Sequence, residues 1–354
     1  VKALILAGGA GTRLRPITHT SAKQLVPVAN KPVLDYGLEA MAAAGITEVG
    51  IIVGATRAEI EAHVGDGSAW GLDVTFVHQP EPLGLAHAVL TAEDFLGEDD
   101  FVMYLGDNLL AGGIGEFVAG FERARPTAQI LLAQVPNPQE FGVAALDDAG
   151  RVTRLVEKPA DPPSDLALVG VYLFTSRIFE AAKSIAPSGR GELEITDALQ
   201  WLIDAGEPVD SHVVSGWWKD TGKLDDLLEA NRIVLDATER RVDGSVDDAS
   251  LAQGKVVLEA GAQLVNSTVR GPTVIGAGAR IVDSYVGPYS AIDAGCVVTR
   301  SEVEHAIILA DSTVTDVQRL EDSLIGREST VAYQPTRPRA YRLMIGDHSS
   351  VGLA

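Results

Sequence analysis

Beyond about residue 250 the chain repeats itself. Leu258–Leu264, Ile275–Ile281, Val286–Ile292, Ile325–Val331 and Ile345–Val351 each open on an aliphatic residue, usually followed by Gly, and close on another. Around them lie short Val/Ile-rich pieces with Gly every few residues and almost no helical periodicity. A single hexad has too little apolar surface to form a core; stacked hexads send each aliphatic residue into a common column. One such hexad carries no weight, but five predict a left-handed parallel β-helix over 241–354. Gln334–Arg342, with two prolines, interrupts the pattern and is expected to be a surface loop. Cys296, the one cysteine, excludes an intramolecular disulfide and any Cys-based metal cluster and reads as a small buried apolar residue.

From residue 1 to about 220 the texture is different, with apolar strand-like runs alternating with amphipathic helical ones. Val1–Ala7, Glu48–Val53, Val74–Gln79 and Phe101–Leu105 read as strands, and Val33–Ala44, Ala58–Val64 and Ala86–Phe95 as helices. This alternation predicts an α/β domain with a mostly parallel, Rossmann-like sheet, whose ligands sit outside the carboxyl ends of its strands. Lys223–Arg240, without internal Gly or Pro, reads as a helix connecting it to the β-helix. The expected division is therefore 1–240, connecting helix included, and 241–354.

At 354 residues, 46% hydrophobic and 22% charged, the composition is that of a globular protein with room for two cores. No apolar run reaches membrane-span length and the first strand lacks the flanks of a signal peptide, so a cytoplasmic protein without a membrane partner is expected. The formal charge of −21 argues against nucleic acid as a partner. Any phosphorylated ligand needs positive charge concentrated locally and a divalent cation to neutralise the rest.

The first strand runs into Gly8-Gly9-Ala10-Gly11-Thr12-Arg13-Leu14-Arg15-Pro16. Gly8, Gly9 and Gly11 remove side chains that would hold a triphosphate away from backbone N–H groups, and Arg13 adds a permanent charge beside that cradle. The spacing is not that of a dinucleotide fingerprint, since Leu14 stands where its last Gly is required. A P-loop does not fit either, because Gly216–Leu224 is one residue too long and ends Gly-Lys-Leu. Followed by Ser21-Ala22-Lys23-Gln24-Leu25-Val26-Pro27-Val28 and Asn30-Lys31-Pro32, the segment resembles the signature of the sugar-nucleotide pyrophosphorylases, which join a sugar 1-phosphate to a nucleoside triphosphate.

In that reaction a sugar-phosphate oxygen attacks the α-phosphorus and pyrophosphate leaves. The second pKa of a phosphate monoester is about 6, so the nucleophile is already largely deprotonated at neutral pH and no catalytic Ser, Cys or His is needed. The task is to align two polyanions and stabilise charge on the transferring group. Asp107, in Leu-Gly-Asp-Asn at a strand end, and Asp220, in Trp-Lys-Asp-Thr-Gly before a helix, are the candidate Mg²⁺ ligands. Alone each would read as a cap or turn residue; their contexts resemble the family's two metal-binding aspartates.

The remaining assignments rest on the same resemblance. It gives Arg13 and Lys23 to the triphosphate, Gly8, Gly9, Gly11 and Thr12 to the nucleotide cradle, and Gln24 to an active-site contact. Glu157 is assigned to sugar hydroxyls and Lys158 to the sugar phosphate, with Gly142 in the same sugar-phosphate set. Gly189–Asp197 places Arg190 near the same sheet end, where a phosphate contact is expected. Tyr172 reads either as a lining residue of the sugar pocket or as a core tyrosine. Gln79–Ala86 looks like the base-recognition segment: the Gln79 amide offers both donor and acceptor to a pyrimidine, and Gly84 leaves room for the base.

The resemblance covers essentially the whole chain and narrows to the long-form glucose-1-phosphate thymidylyltransferases of deoxysugar and antibiotic pathways. Lys23-Gln24-Leu25, Gln79–Ala86 and Gly189–Asp197 favour them over the mannose-1-phosphate guanylyltransferases. Lys219 departs from the pattern, which more usually has Leu between Trp and Asp. The implied substrates are dTTP and glucose 1-phosphate, the cofactor Mg²⁺, and the assembly a homo-oligomer. A related uridylyl- or guanylyltransferase, a cyclitol or other sugar phosphate in place of glucose 1-phosphate, and a non-catalytic sugar-nucleotide-binding regulatory subunit remain as alternatives. Such subunits lack the charged site residues, whereas Arg13, Lys23, Asp107, Lys158 and Asp220 are all here. An acetyl-transferring tail would need more than His305 and His348, so the tail is assigned to stability and assembly.

Overall fold

A computed structural model describes residues 1–9, 11–19 and 21–333. The hexad Ile345–Val351, the expected loop Gln334–Arg342 and His348 lie outside the described residues.

The first strand, Lys2–Leu6, sits in the middle of the N-terminal sheet and is covered on both faces. Its side chains alternate between two cores: Leu4 and Leu6 join one with Phe101 and Met103, while Ala3, Ile5 and Ala7 join the other with Ile51 and Tyr104. The order across the sheet is Val152–Glu157, Gly142–Leu146, Leu166–Phe174, Phe101–Leu105, Lys2–Leu6, Glu48–Val53 and Asp73–His78, with Ala128–Gln134 and Val209–Val213 branching from Leu166–Phe174. The four strands from Phe101–Leu105 to Asp73–His78 are mutually parallel, as expected for an α/β sheet. Leu166–Phe174 runs against its three neighbours and Val152–Glu157 against Gly142–Leu146, so the far half of the sheet is mixed.

Two helices differ from expectation. The helix expected over Ala86–Phe95 divides at Ala92 into Leu85–Thr91 and Glu93–Leu96. The Thr91 hydroxyl donates back to the His87 carbonyl at 2.8 Å, the i−4 bond that competes with helix continuation. The helix expected over Lys223–Arg240 spans Leu224–Asp236. Thr238 donates to the Leu235 carbonyl at 2.7 Å, and Arg240 is drawn to the Ala252 carbonyl at 2.9 Å, so the last charged residues belong to the start of the next element. No helix among the described residues is long and apolar enough to cross a membrane.

The C-terminal region is a parallel β-helix with three strand columns. Val257 pairs with Val274, Val274 with Ala291, Ala291 with Ile307 and Ile307 with Leu324. Leu264, Ile281, Val298, Val314 and Val331 form a second column, and Val269, Val286, Val303 and Leu320 a third. The hexad aliphatics Leu258, Leu264, Ile275, Ile281, Val286 and Ile292 all enter one interior core, and Cys296 is fully buried among them.

The β-helix is joined to the sheet region along a flank as well as through the connecting helix. Val257, Val274, Ala291 and Ile307 share a buried cluster with Leu227, Leu228 and Leu235 of that helix and with Leu14, Val26, Val28 and Val33. Asn231, fully buried, accepts from the Ala29 N–H and donates to the Tyr289 carbonyl, both at 2.9 Å. The Asn30 side chain donates to the Ile292 carbonyl at 2.8 Å.

Candidate active site

The candidate residues gather at the carboxyl ends of the parallel strands, where the first strand breaks into the Gly-rich loop. Gly8, Gly9, Gly11, Thr12, Arg13, Lys23, Gln24, Gln79, Gly84 and Asp107 line one pocket of about 370 Å³. Gly142, Glu157, Lys158, Tyr172 and Asp220 line a neighbouring cleft of about 650 Å³. Arg13, Leu85 and Leu105 line both, so the two spaces adjoin.

Asp107 and Asp220 are brought together by a short ribbon. Asn108–Leu110 pairs antiparallel with Trp218–Asp220, with Asp220 opposite Asn108. Thr221 clamps the end of the ribbon, its backbone N–H and hydroxyl both reaching the Asp107 carbonyl, at 3.0 and 2.8 Å. The Trp218 indole donates to Asn108 at 3.2 Å, and Asn108 donates to the Val169 carbonyl at 2.9 Å, fixing the ribbon to the sheet. Lys23, almost fully buried, ion-pairs with Asp107, and its Nζ lies 3.9 Å from Asp220 Oδ1.

The pair is electrostatically unfinished. Burial, and then the charge of Asp107, push the Asp220 carboxyl up to about 6 against the opposing pull of Lys23 and Arg13. Asp220 Oδ1 is buried and has no hydrogen-bond partner. A buried carboxylate oxygen without a donor, beside a second carboxylate, is an oxygen donor set suited to a hard divalent cation. Among the described residues no group of three or more His, Cys, Asp and Glu is placed to hold a metal.

In the larger cleft Glu157 is held by two donors, Thr196 Oγ1 at 2.7 Å on one oxygen and Arg190 at 3.0 Å on the other. Gly142 lies against this pair: a β-carbon there would stand 2.9 Å from Thr196 Oγ1 and 3.1 Å from Glu157. Tyr172 is a core residue, 3% exposed and stacked on Phe174 with ring centroids 5.8 Å apart, and it also lines the larger cleft. Burial and the nearby Glu157 charge raise its hydroxyl pKa, so it stays protonated. Lys158 is half-exposed, with its Nζ 3.8 Å from Glu157.

One expectation changes and another gains a second reason. Arg190 is not a free cation: it bonds Glu157 and, at 2.8 Å, the buried Glu194, and it lines an adjoining surface cleft with Lys158 instead of the 650 Å³ one. Gly84 lines the smaller pocket, and the backbone gives a further reason for a glycine there. A β-carbon there would stand 2.4 Å from the Leu193 carbonyl oxygen, and its φ is +109°. Leu193 donates to the Leu83 carbonyl at 2.7 Å and accepts from Ala86 at 3.0 Å, tying the Gln79–Ala86 segment to Gly189–Asp197. Sequence reasoning also missed Thr196, inside a segment singled out for Arg190, and His87, whose ring Nδ1 lies 2.8 Å from the Gln79 amide nitrogen. The signal for His87 was its place in the first turn of the helix that follows Gly84.

Comparison with known proteins identifies the family. The nucleotidyl transferase family profile matches residues 2–237. The chain is 61% identical to a glucose-1-phosphate thymidylyltransferase of Streptomyces griseus, over 99% of this chain and 98% of that one. It is 58% identical to one of Streptomyces antibioticus, over 99% of each. A solved structure from Bacillus anthracis, assigned to the same activity, superposes with a TM-score of 0.63 at 36% identity, over 68% of this chain and 97% of that one. The chain therefore belongs to the nucleotidyl transferase family, among the glucose-1-phosphate thymidylyltransferases.

Proposed function

We propose that this chain transfers a deoxythymidylyl group from dTTP to glucose 1-phosphate, giving dTDP-glucose and pyrophosphate. The observation that carries the reading is the junction of the two clefts: a glycine-floored pocket and a larger polar cleft share Arg13 and meet at the Asp107–Asp220 pair. Two anionic substrates entering from opposite sides would meet there, which is what an in-line displacement at the α-phosphorus requires.

In this reading Gly8, Gly9, Gly11 and Thr12 present backbone to the triphosphate, and Arg13 stabilises the leaving pyrophosphate. Gln24, whose buried amide oxygen lacks a hydrogen-bond partner, and Gln79 contact the nucleotide. Lys158 takes the sugar phosphate, and Glu157, oriented by Thr196 and Arg190, accepts from sugar hydroxyls. Arg190 thus acts through Glu157, because its guanidinium is already engaged. Lys23 balances the carboxylate pair.

Nucleotidyltransferases of this family generally use a divalent metal ion. Asp107 and Asp220 would hold it, and Mg²⁺ is the ion that two carboxylates completed by substrate oxygens suit. When bound it supplies charge neutralisation for the phosphates. Residues 1–240 carry this chemistry and 241–354 form a supporting domain of a cytoplasmic homo-oligomer. The test is pyrophosphate release with dTTP, UTP and GTP against glucose 1-phosphate and other sugar 1-phosphates. Turnover fastest with dTTP and glucose 1-phosphate is expected; turnover with none of the pairs would refute a transferase.

A further inference from the structure

We propose that His87 is a positioning residue that locks the Gln79 amide in one orientation, so that the pocket selects pyrimidines whose ring N3 carries a proton. The inference rests on the reading of Gln79 as a base contact. Gln79 follows the strand Asp73–His78 and is 7% exposed. Its Nε2 faces two groups, His87 Nδ1 at 2.8 Å and, more distantly, the Gly84 carbonyl oxygen at 3.5 Å.

A carboxamide rotated by half a turn exchanges its donor for its acceptor, so an unconstrained glutamine pairs with a base of either polarity. Here the surroundings choose. The Gly84 carbonyl only accepts, so the amide nitrogen faces it, and an oxygen there would meet another oxygen. The imidazole at 2.8 Å must then accept at Nδ1, which places the ring proton of a neutral His87 on Nε2. Both amide hydrogens are thereby directed into the protein. Oε1 is left on the side of Gly8, where a β-carbon would stand 3.3 Å from it, at the glycine floor of the nucleotide pocket. No protein donor among the described residues bonds Oε1.

What remains for the base is an acceptor. Thymine and uracil present an N3–H to it, whereas cytosine presents a bare N3 lone pair, so two acceptors would face one another. A mispaired polar group in a desolvated pocket costs about tenfold to a hundredfold in discrimination. The chemical class selected is a pyrimidine nucleoside triphosphate with an imide edge; the pair Gln79–His87 does not distinguish dTTP from UTP.

The experiment measures kcat/KM for dTTP, UTP and dCTP by pyrophosphate release, and dTTP and dCTP binding by calorimetry, in wild type, His87→Leu and His87→Asn. His87→Leu removes the acceptor; His87→Asn returns an amide oxygen near the place of Nδ1. The expected result is that His87→Leu lowers the dTTP/dCTP ratio at least tenfold, chiefly through KM, with UTP following dTTP, and that His87→Asn restores it. An unchanged ratio in a folded His87→Leu overturns the proposal. So does an equal loss in His87→Asn, which would make the role merely structural. Wild type that turns over with no preference for dTTP over dCTP overturns it and leaves the transferase reading standing. Wild type that is inactive, yet binds dTTP over dCTP in a His87-dependent way, upholds it and refutes the transferase reading.

Discussion

The two halves of this molecule solve the burial problem in opposite ways. In the β-helix each coil repeats the contacts of the one below, so Leu264, Ile281, Val298 and Val314 occupy equivalent places in one interior core. In the sheet region no contact repeats: Asp107 and Asp220 meet only because a three-residue ribbon joins distant segments, held by Thr221, Asn108 and Trp218. Redundant packing tolerates local loss, whereas a site assembled once from distant pieces does not. Stability and chemistry should therefore respond separately to substitutions in the two regions.

The sharpest separation is expected at the carboxylate pair. Asp107→Asn and Asp220→Asn should each lower turnover by orders of magnitude at ordinary Mg²⁺, with thermal unfolding little changed. Asp220 also gives a pH signature in the metal-free protein. Its folded pKa is raised from 3.8 to about 6, so the folded state holds the proton more tightly than the unfolded one. Its effect on stability is therefore a loss as pH rises from about 4 to 6, complete above that range. Unfolding temperatures measured in chelator between pH 4 and 7 should fall more steeply with pH in wild type than in Asp220→Asn. Near-normal turnover in either variant would remove the shared-metal assignment.

The reverse case lies inside the β-helix. Ile281→Ala deletes a fully buried side chain and should cost about 2–5 kcal/mol of stability. Steady-state kinetics well below the unfolding temperature should nevertheless match wild type. A fall in kcat comparable to the loss in stability would break the comparison, by showing that the coils and the site are not energetically separable.

The same contrast explains what could be read from the sequence. The β-helix was legible because periodicity reports each aliphatic position several times, and the central strands because their runs of Leu, Ile and Val are buried on both faces. Strand ends then indicated where ligand residues should lie. Partnerships made across the chain were not legible. Arg190 reads as a phosphate-binding cation until Glu157 and Glu194 are seen to bond it. Gly84 reads as space for a base, and the Leu193 backbone packed against it gave no sign in the sequence. Asp107 and Asp220 were identified by resemblance, but the ribbon that pairs them is too short to carry a periodic signal. The lateral seating of the β-helix was missed because its outward column, Val257 to Ile307, looks like interior sequence.

That seating includes a buried polar contact as well as the apolar flank. Asn231 is fully buried and joins the Ala29 N–H to the Tyr289 carbonyl. Asn231→Leu fills the space but leaves both groups without their partner, at a cost of roughly 1–3 kcal/mol for each that stays dry. Calorimetry should show a lower unfolding temperature and a transition that broadens or divides, as the coils and the sheet region uncouple. A single transition as sharp as that of wild type would mean that the apolar flank alone holds the regions together.

The smallest expected effect is also the one that bounds the separation. Leu14, next to Arg13, belongs to the buried cluster completed by Val257, Val274, Ala291 and Ile307 of the β-helix. Ile17, later in the same loop, lies against Gly326, where a β-carbon would stand 3.7 Å from its Cδ1. The coils thus brace the loop that carries the proposed leaving-group cation. Ile307→Ala and Ile281→Ala delete the same atoms from one β-helix, the first on its flank and the second in its interior. The flank variant should lower kcat on the order of twofold to fivefold, near the low end of the ~0.5–2 kcal/mol by which packed intermediaries modulate a distant site. KM should move less, because the loosened group is proposed to act on charge that develops as pyrophosphate leaves. The comparison is made with both variants at the same interval below their unfolding temperatures. Equal kcat values would confine the β-helix to stability and assembly; a selective loss in Ile307→Ala would make its flank part of the support of the active-site loop.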